Sequence, residues 1–268
     1  MELGMVRRMW PPHKHRLTVM GFLLLLLLTL GISVIIGFNP VLLFTEWPFA
    51  VAFLGELFPP NFTYVFRKPE VWISVFSTIA MAFLGTLLGG MISLGLAFFA
   101  AHNVSPRPWL SVVVYTLFTL ERVIPSFIIL LVFLIMVGIG PFAGTLTLIV
   151  STIGTFGKLF AESMEQVEPG VLESVRSTGA TRLQWIRYGL LPEAAPSILS
   201  NFFYSFDVNI RRAIGLGIFG GGGLGFDLYL AMGMMEYRSA LALMLVIVAL
   251  VFFSERISTY FRNRMMKL

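Results

Sequence analysis

Residues 171–192 read VLESVRSTGATRLQWIRYGLLP. Three arginines (Arg176, Arg182, Arg187), a central Gly179 and a closing Leu191-Pro192 stand in a chain that is otherwise mostly apolar. The stretch is too polar for hydrocarbon, yet it is patterned. On one continuous helix, Leu172, Val175, Gly179, Leu183, Ile186 and Leu190 recur at spacings of 3, 4, 4, 3 and 4 and make an apolar stripe. Glu173, Ser177, Thr181, Gln184 and Tyr188 lie opposite, with the arginines flanking the stripe. Gly179 offers a second arrangement, two short helices divided at the glycine, because glycine weakens a helix interior. Two roles satisfy the pattern. The segment rests on the inner leaflet with its arginines at lipid phosphates, or its stripe enters a groove on a cytoplasmic partner.

Composition identifies the surrounding solvent. The 268 residues are 57% hydrophobic and only 12% charged, where a soluble domain carries about a quarter charged residues. This is a membrane protein. Cysteine is absent, which excludes disulfides and thiolate metal sites. His13, His15 and His102 have no metal-ligand spacing and read as solvated loop histidines. The net charge of +5 is better explained by basic residues at the cytoplasmic ends of spans than by nucleic acid.

A crossing needs roughly 20 apolar residues. Six are expected: 17–37, 71–101, 109–137 (interrupted by Glu121-Arg122 and Pro125), 145–163, 197–217 and 239–257. The first run is too long for a signal-peptide core and lacks a good cleavage site, so it reads as a retained helix. Gly138–Gly144, GIGPFAG, reads as a turn. Six crossings put both termini on one side. Thirteen Lys and Arg then fall on that side and three (Arg67, Lys68, Arg238) on the other. Both termini and the 171–192 segment are therefore expected to be cytoplasmic. The layout is a cytoplasmic segment 1–16, a first transmembrane helix 17–37, an external loop 38–70, a five-helix core 71–257 that includes the polar segment 165–192, and a tail 258–268. Trp47 and the phenylalanines of the external loop suit the outer interface.

Several motifs do not carry enzyme chemistry. Gly215, Gly217 and Gly220 spell GxGxxG, but no strand precedes them, so a dinucleotide site is rejected. Close packing through small residues and an unwound, moving end of the fifth span are both compatible with this run. Gly157-Lys158-Leu159 lacks the first glycine and the hydroxyl of a phosphate-binding loop. No Ser/His/Asp set or carboxylate pair invites catalysis. The chain reads as a transport subunit rather than an enzyme.

The positions of Glu173, Gly179 and Leu191-Pro192 match the E-x5-G-x11-L-P spacing of the "EAA" loop of ABC-importer permeases. Ser174-Val175 replace two alanines, and Gly189 stands where isoleucine is frequent. LFPPNF (57–62), VGIGPFAG (137–144), KLFAESMEQVEPG (158–170), STGAT (177–181), YGLLP (188–192) and DVNIRRAIGLGIFGGGGLG (207–225) extend the match. Over about 57–262 the chain resembles the permeases of the phosphonate ABC-importer family. The resemblance implies an all-α integral membrane protein with a six-helix, type I (MetI-like) permease core in a bacterial inner membrane. It implies two ATP-binding subunits, which hold ATP and Mg while this chain carries no cofactor and no metal. It also implies a second permease subunit, a homodimer being expected, and a periplasmic binding protein. The 171–192 segment would be the coupling helix in a cleft of the ATPase, with Glu173, Gly179, Ala180, Arg182, Leu191 and Pro192 as its marked positions. Besides lipid, no nucleic acid or other partner is expected.

Charged residues at membrane depth face protein or water. Asp207 and Arg211 are four apart and can pair on one helix face. Arg122, Asp207, Asn209, Arg211 and Arg212 are alternatively candidates for a translocation path. A phosphorus oxyanion needs positive potential and donors that do not trap it, and a guanidinium fork matches its oxygens. The resemblance places Arg122 before the Ile-Pro of the family's third span, and Asn209 and Arg211 at its N-x-R, with Asp207 where glutamate is frequent. Gly220, Gly221, Gly222, Gly223 and Gly225 are the gate or packing glycines. Phosphonate, phosphite and hypophosphite are the expected ligands. A small solute such as methionine is the alternative within the superfamily, and a self-contained channel or membrane enzyme is the alternative outside it.

Overall fold

The computed structural model describes residues 12–265. Most of the expected segment 1–16, and residues 266–268 of the expected tail, lie outside the described residues. Every regular element among the described residues is a helix. The chain divides into two units, 1–56 and 57–268.

The first unit holds α1 (Pro12–Ile35), α2 (Leu42–Thr45) and nearly all of α3 (Trp47–Leu57). Within α1, Arg16–Ile35 is long and apolar enough to cross a membrane. Its hydroxyls return to their own backbone, Thr29 donating to the Leu25 carbonyl at 2.7 Å and Ser33 to the Thr29 carbonyl at 2.8 Å.

The second unit holds α4 (Phe62–Arg67), α5 (Pro69–Ala100), α6 (Pro108–Val123), α7 (Ser126–Val137), α8 (Pro141–Glu165), α9 (Pro169–Ser177), α10 (Arg182–Trp185), α11 (Leu191–Leu216), α12 (Leu224–Gly233) and α13 (Tyr237–Met265). A π-helical turn, Ile186–Leu190, leads into α11, and a kink at Gly217–Gly221, with Gly220 at φ 100°, follows it. At the centre α5 and α8 meet through small residues. A Cβ at Gly85 would lie 2.5 Å from Leu148 Cβ, and one at Gly89 would lie 2.8 Å from the Ile149 carbonyl oxygen. Ser93, one turn on, donates to the Ile153 carbonyl at 3.2 Å. Gly85, Gly89 and Ser93 are thus a small-xxx-small seam that lets two spanning helices touch backbone to backbone. Phe118 of α6 lies against Gly157 of α8, where a Cβ would overlap its ring at 2.2 Å.

Four helices are long and apolar enough to span: α1 in the first unit, and α5, α8 and α13 in the second. Two bent pairs raise the number of crossings to as many as six. The expected third span is one of them: α6 and α7 meet at 84°. Pro125 disfavours a helical residue before it, and Ile124 is extended (φ −80°, ψ 117°). The second pair, α10 through the turn at 217–221 and then α12, bends by 49°. The expected turn 138–144 is shorter than its composition suggests. Gly138 and Gly140 make the turn, and Pro141 already opens α8, at the first helical position where its missing N–H costs nothing.

Candidate functional site

The polar segment folds as two helices. α9 ends at Ser177, Gly179 turns the chain with φ +81°, and Thr181 caps α10 in a capping box with Gln184. The stripe read on one continuous helix does not survive this break. Leu172 and Leu190 are buried as expected, but Leu183 is 75% exposed. Trp185, assigned to no face, is buried with Leu172 and Leu190 in a cluster that includes Ala100, Val104, Phe160 and Met164. Arg176 lies 4.2 Å over the Trp185 ring. The buried part of the stripe, Leu172 and Leu190 together with Trp185, therefore packs on its own chain, while Leu183 stays exposed. Of the marked positions, Glu173, Gly179, Arg182 and Pro192 are exposed, with Ala180 and Leu191 half-buried. Gly189 has a physical reason. A Cβ there would stand 3.3 Å from Val175 Cγ2 and 3.6 Å from Leu172 Cδ2, so the glycine lets α9 lie directly on the π turn.

The loop between α5 and α6 anchors this segment. Arg182 donates to the Val104 carbonyl. Asn103 donates to the Met164 carbonyl at 2.7 Å, and the His102 backbone N–H donates to Glu165 Oε1 at 2.8 Å. Tyr115 donates to Glu165 Oε2 at 3.1 Å. His102, expected as a solvated loop residue, keeps an exposed ring but shares a hydrogen bond with Ser111 through Nδ1.

The intramembrane charges form two groups, because the neighbours Arg211 and Arg212 point about 100° apart on a helix. Asp207, nearly buried, accepts from Arg211 at 2.6 Å and from Ser254 at 3.2 Å. Glu255 lies 3.7 Å from Arg211. This group joins α11 to α13. The second group sits at the α6–α7 break. Glu121 interacts electrostatically with Arg212 of α11 and with Arg122, and its carboxylate fills the space beside Gly154 of α8. Arg122 is exposed. Asn209 faces neither group. It is fully buried and donates to Thr86 at 2.8 Å and Thr152 at 2.9 Å. In this conformation it ties α11 to α5 and α8 rather than facing an open path.

The glycine run is packed on all sides. A Cβ at Gly222 would lie 2.7 Å from Pro141, and one at Gly223 2.5 Å from Thr78 Oγ1. Both residues have positive φ, 79° and 71°, so glycine is required by conformation and by space. Gly221 and Gly225 lie against the Leu216 and Ile214 carbonyls. The Gly140 N–H donates to the Gly220 carbonyl at 3.0 Å.

Glu121 entered the sequence reading only as an interruption of the third span, and Thr86, Thr152, Gly154 and Trp185 were not singled out. Glu121 was visible as an acid in an apolar run, and Gly85-x3-Gly89-x3-Ser93 as a small-residue repeat. The threonines carried no signal, because hydroxyls are common in spanning helices.

Comparison with known proteins follows the same lines. A family profile described as "Binding-protein-dependent transport system inner membrane component" matches residues 93–267. The chain is similar to the phosphate-import permease protein PhnE of Mycolicibacterium smegmatis, 34% identical over 233 residues, covering 87% of this chain and 43% of that protein. It thus spans less than half the length of that relative. It is 33% identical over 217 residues to the phosphite transport system permease protein PtxC of Stutzerimonas stutzeri, covering 81% of this chain and 78% of the relative. A solved structure of the MetNI methionine ABC transporter in inward-facing conformations superposes with a TM-score of 0.65 at 23% identity, over 74% of this chain and 98% of that one. It shares the fold.

Proposed function

Because this chain belongs to the family of binding-protein-dependent transport system inner membrane components, we propose that it is the membrane-spanning permease of an ATP-driven importer for phosphonate or a related phosphorus oxyanion such as phosphite or hypophosphite. The observation that carries the ligand class is the similarity, over most of the chain, to permeases named for phosphate and phosphite. In this reading the chain hydrolyses nothing itself. Two ATPase subunits bind ATP and magnesium, a second copy of this chain completes the pore, and a periplasmic binding protein delivers the ligand. Both termini and the polar segment face the cytoplasm.

Closure of the ATPases moves α9 through its polar face, with Glu173 and the Gly179 turn at the contact. Because α9 and the π turn pack against Ala100, Val104 and Met164, that movement reaches the ends of α5 and α8 directly. The path for the anion is best placed at the α6–α7 break. Arg122 and Arg212 supply two guanidinium groups, with the Glu121 carboxyl group beside them to temper their potential. Such a site attracts an anion without holding it. Broken helices at membrane depth are a recurring place for such sites.

The test is ligand-stimulated ATP hydrolysis by the complex reconstituted with its binding protein. Phosphonate or phosphite should stimulate and methionine should not. Stimulation by methionine alone, or transport without any ATPase, would refute the assignment.

A further inference from the structure

A groove of about 580 Å³ runs between the last turn of α5, the loop after it and α10 with its π turn. Phe98 and Phe99 form one wall, and Ile186 and Leu191 the other. Leu183, left exposed by the folding of the segment, stands at its edge. The polar side chains that line it are two arginines, Arg182 and Arg187, and no acidic residue lines it. We propose that this groove binds one anionic phospholipid of the inner leaflet, with acyl carbon along Phe98, Phe99 and Leu191 and the phosphate at Arg187 and Arg182.

Three observations carry the assignment. The first is depth. The groove lies where α5 ends and α11 begins, both of them helices of proposed crossings, so it sits where hydrocarbon gives way to headgroups. The second is charge. Among the described residues Arg187 has no acidic partner, and its recorded contact is the Tyr188 ring at 5.7 Å. Arg182 uses an N–H on the Val104 carbonyl, and a guanidinium has five donors. A cationic rim over an apolar floor matches a lipid, whose phosphate and acyl chain are covalently joined. The third is size. The volume falls in the range of about 300–1,000 Å³ of small-molecule sites, suited to part of a lipid rather than to an inserted protein helix. The two roles that the sequence left open then belong to different parts of one segment. α9 and the Gly179 turn face the ATPase, and α10 with its π turn holds the leaflet, which assigns Arg182 and Leu191, expected as coupling positions, to the lipid instead.

The experiment uses the permease assembled with its ATPase in detergent, mixed with equal amounts of phosphatidylglycerol and phosphatidylcholine and examined by native mass spectrometry. The wild type should retain phosphatidylglycerol preferentially. Arg187→Gln should weaken that retention about fivefold, the effect of one interfacial cation, and Arg187→Lys should keep most of it. Equal retention of the two lipids, or no change in Arg187→Gln, overturns the proposal. So does release of phosphatidylglycerol by excess inorganic phosphate, which would make this a free-anion site. A photo-crosslinker at Leu183, with both arginines intact, should capture lipid. Capture of the ATPase subunit instead would make the groove a protein contact and overturn the proposal.

Discussion

One methyl group at position 154 tests the packing of the charged break. In Gly154→Ala the new Cβ would lie 1.8 Å from Glu121 Oε2 and 2.9 Å from the Phe118 carbonyl oxygen, where ordinary contact begins at 3.4 Å. The carboxylate ends a flexible side chain and can retreat by about 1.6 Å, the gap between 1.8 and 3.4 Å. Crowding a flexible carboxylate out of its place is itself an overpacking cost of about 1 kcal/mol. The Phe118 carbonyl belongs to the backbone of α6 and cannot swing away. Relieving it requires a small helix shift, an overpacking cost of about 1–2 kcal/mol. The variant should therefore lose about 2–3 kcal/mol. In a Glu121→Ala background the carboxylate is gone, and the same methyl should cost only the backbone part, about 1–2 kcal/mol. The assay is a double-mutant cycle by equilibrium unfolding in mixed micelles, with a coupling of about 1 kcal/mol expected. Equal cost in both backgrounds, within about 0.5 kcal/mol, would show that Glu121 does not occupy the space beside Gly154.

Two further substitutions probe the segment and the other charge group. At Gly179 the backbone is left-handed with open space around it, so conformation alone decides. Gly179→Asn should keep ligand-stimulated hydrolysis, because asparagine tolerates that region, while Gly179→Val should uncouple hydrolysis from transport; equal behaviour of the two variants would refute the turn's role. Asp207→Asn removes the charge between α11 and α13. A fully buried pair costs about 3–5 kcal/mol to break, but the Arg211 side chain is 45% exposed, so unfolding measurements should show a loss of about 1–2 kcal/mol. Glu255→Gln should cost less than about 1 kcal/mol, and the reverse order would refute the assignment of Asp207 as the main partner.

Much of the fold was readable because hydrocarbon imposes long apolar runs, and α5, α8 and α13 follow from them directly. The polar segment was legible as a unit but not in its faces. One helical wheel carried across Gly179 puts Leu183 inward. The glycine turn restarts the helix at Thr181 with a new phase, and Trp185 turns inward instead. The break at Pro125 was visible, but its 84° angle was not, since proline reports an interruption and not its size. The pairing of Asp207 with Arg211 followed from their spacing of four. The partners on other helices did not, because Arg212 nears Glu121 and Ser254 reaches Asp207 only after α11 is docked. The glycine run gave two readings, and the approach of Thr78 and Pro141 explains the closeness that a sequence leaves unstated.

The π turn that leads into α11 has a consequence for the register of that helix. It holds one residue more than a regular turn would, so α11 keeps its own zero of rotation, set at 186–190. Deleting or inserting a single residue there would rotate everything up to Leu216 by about 100°. Such an indel would bring a neighbouring position, Arg211 or Ala213, toward Glu121 in place of Arg212. The count of residues between Gly179 and Pro192 is therefore a clock setting for charges about four to five helical turns deeper in the membrane.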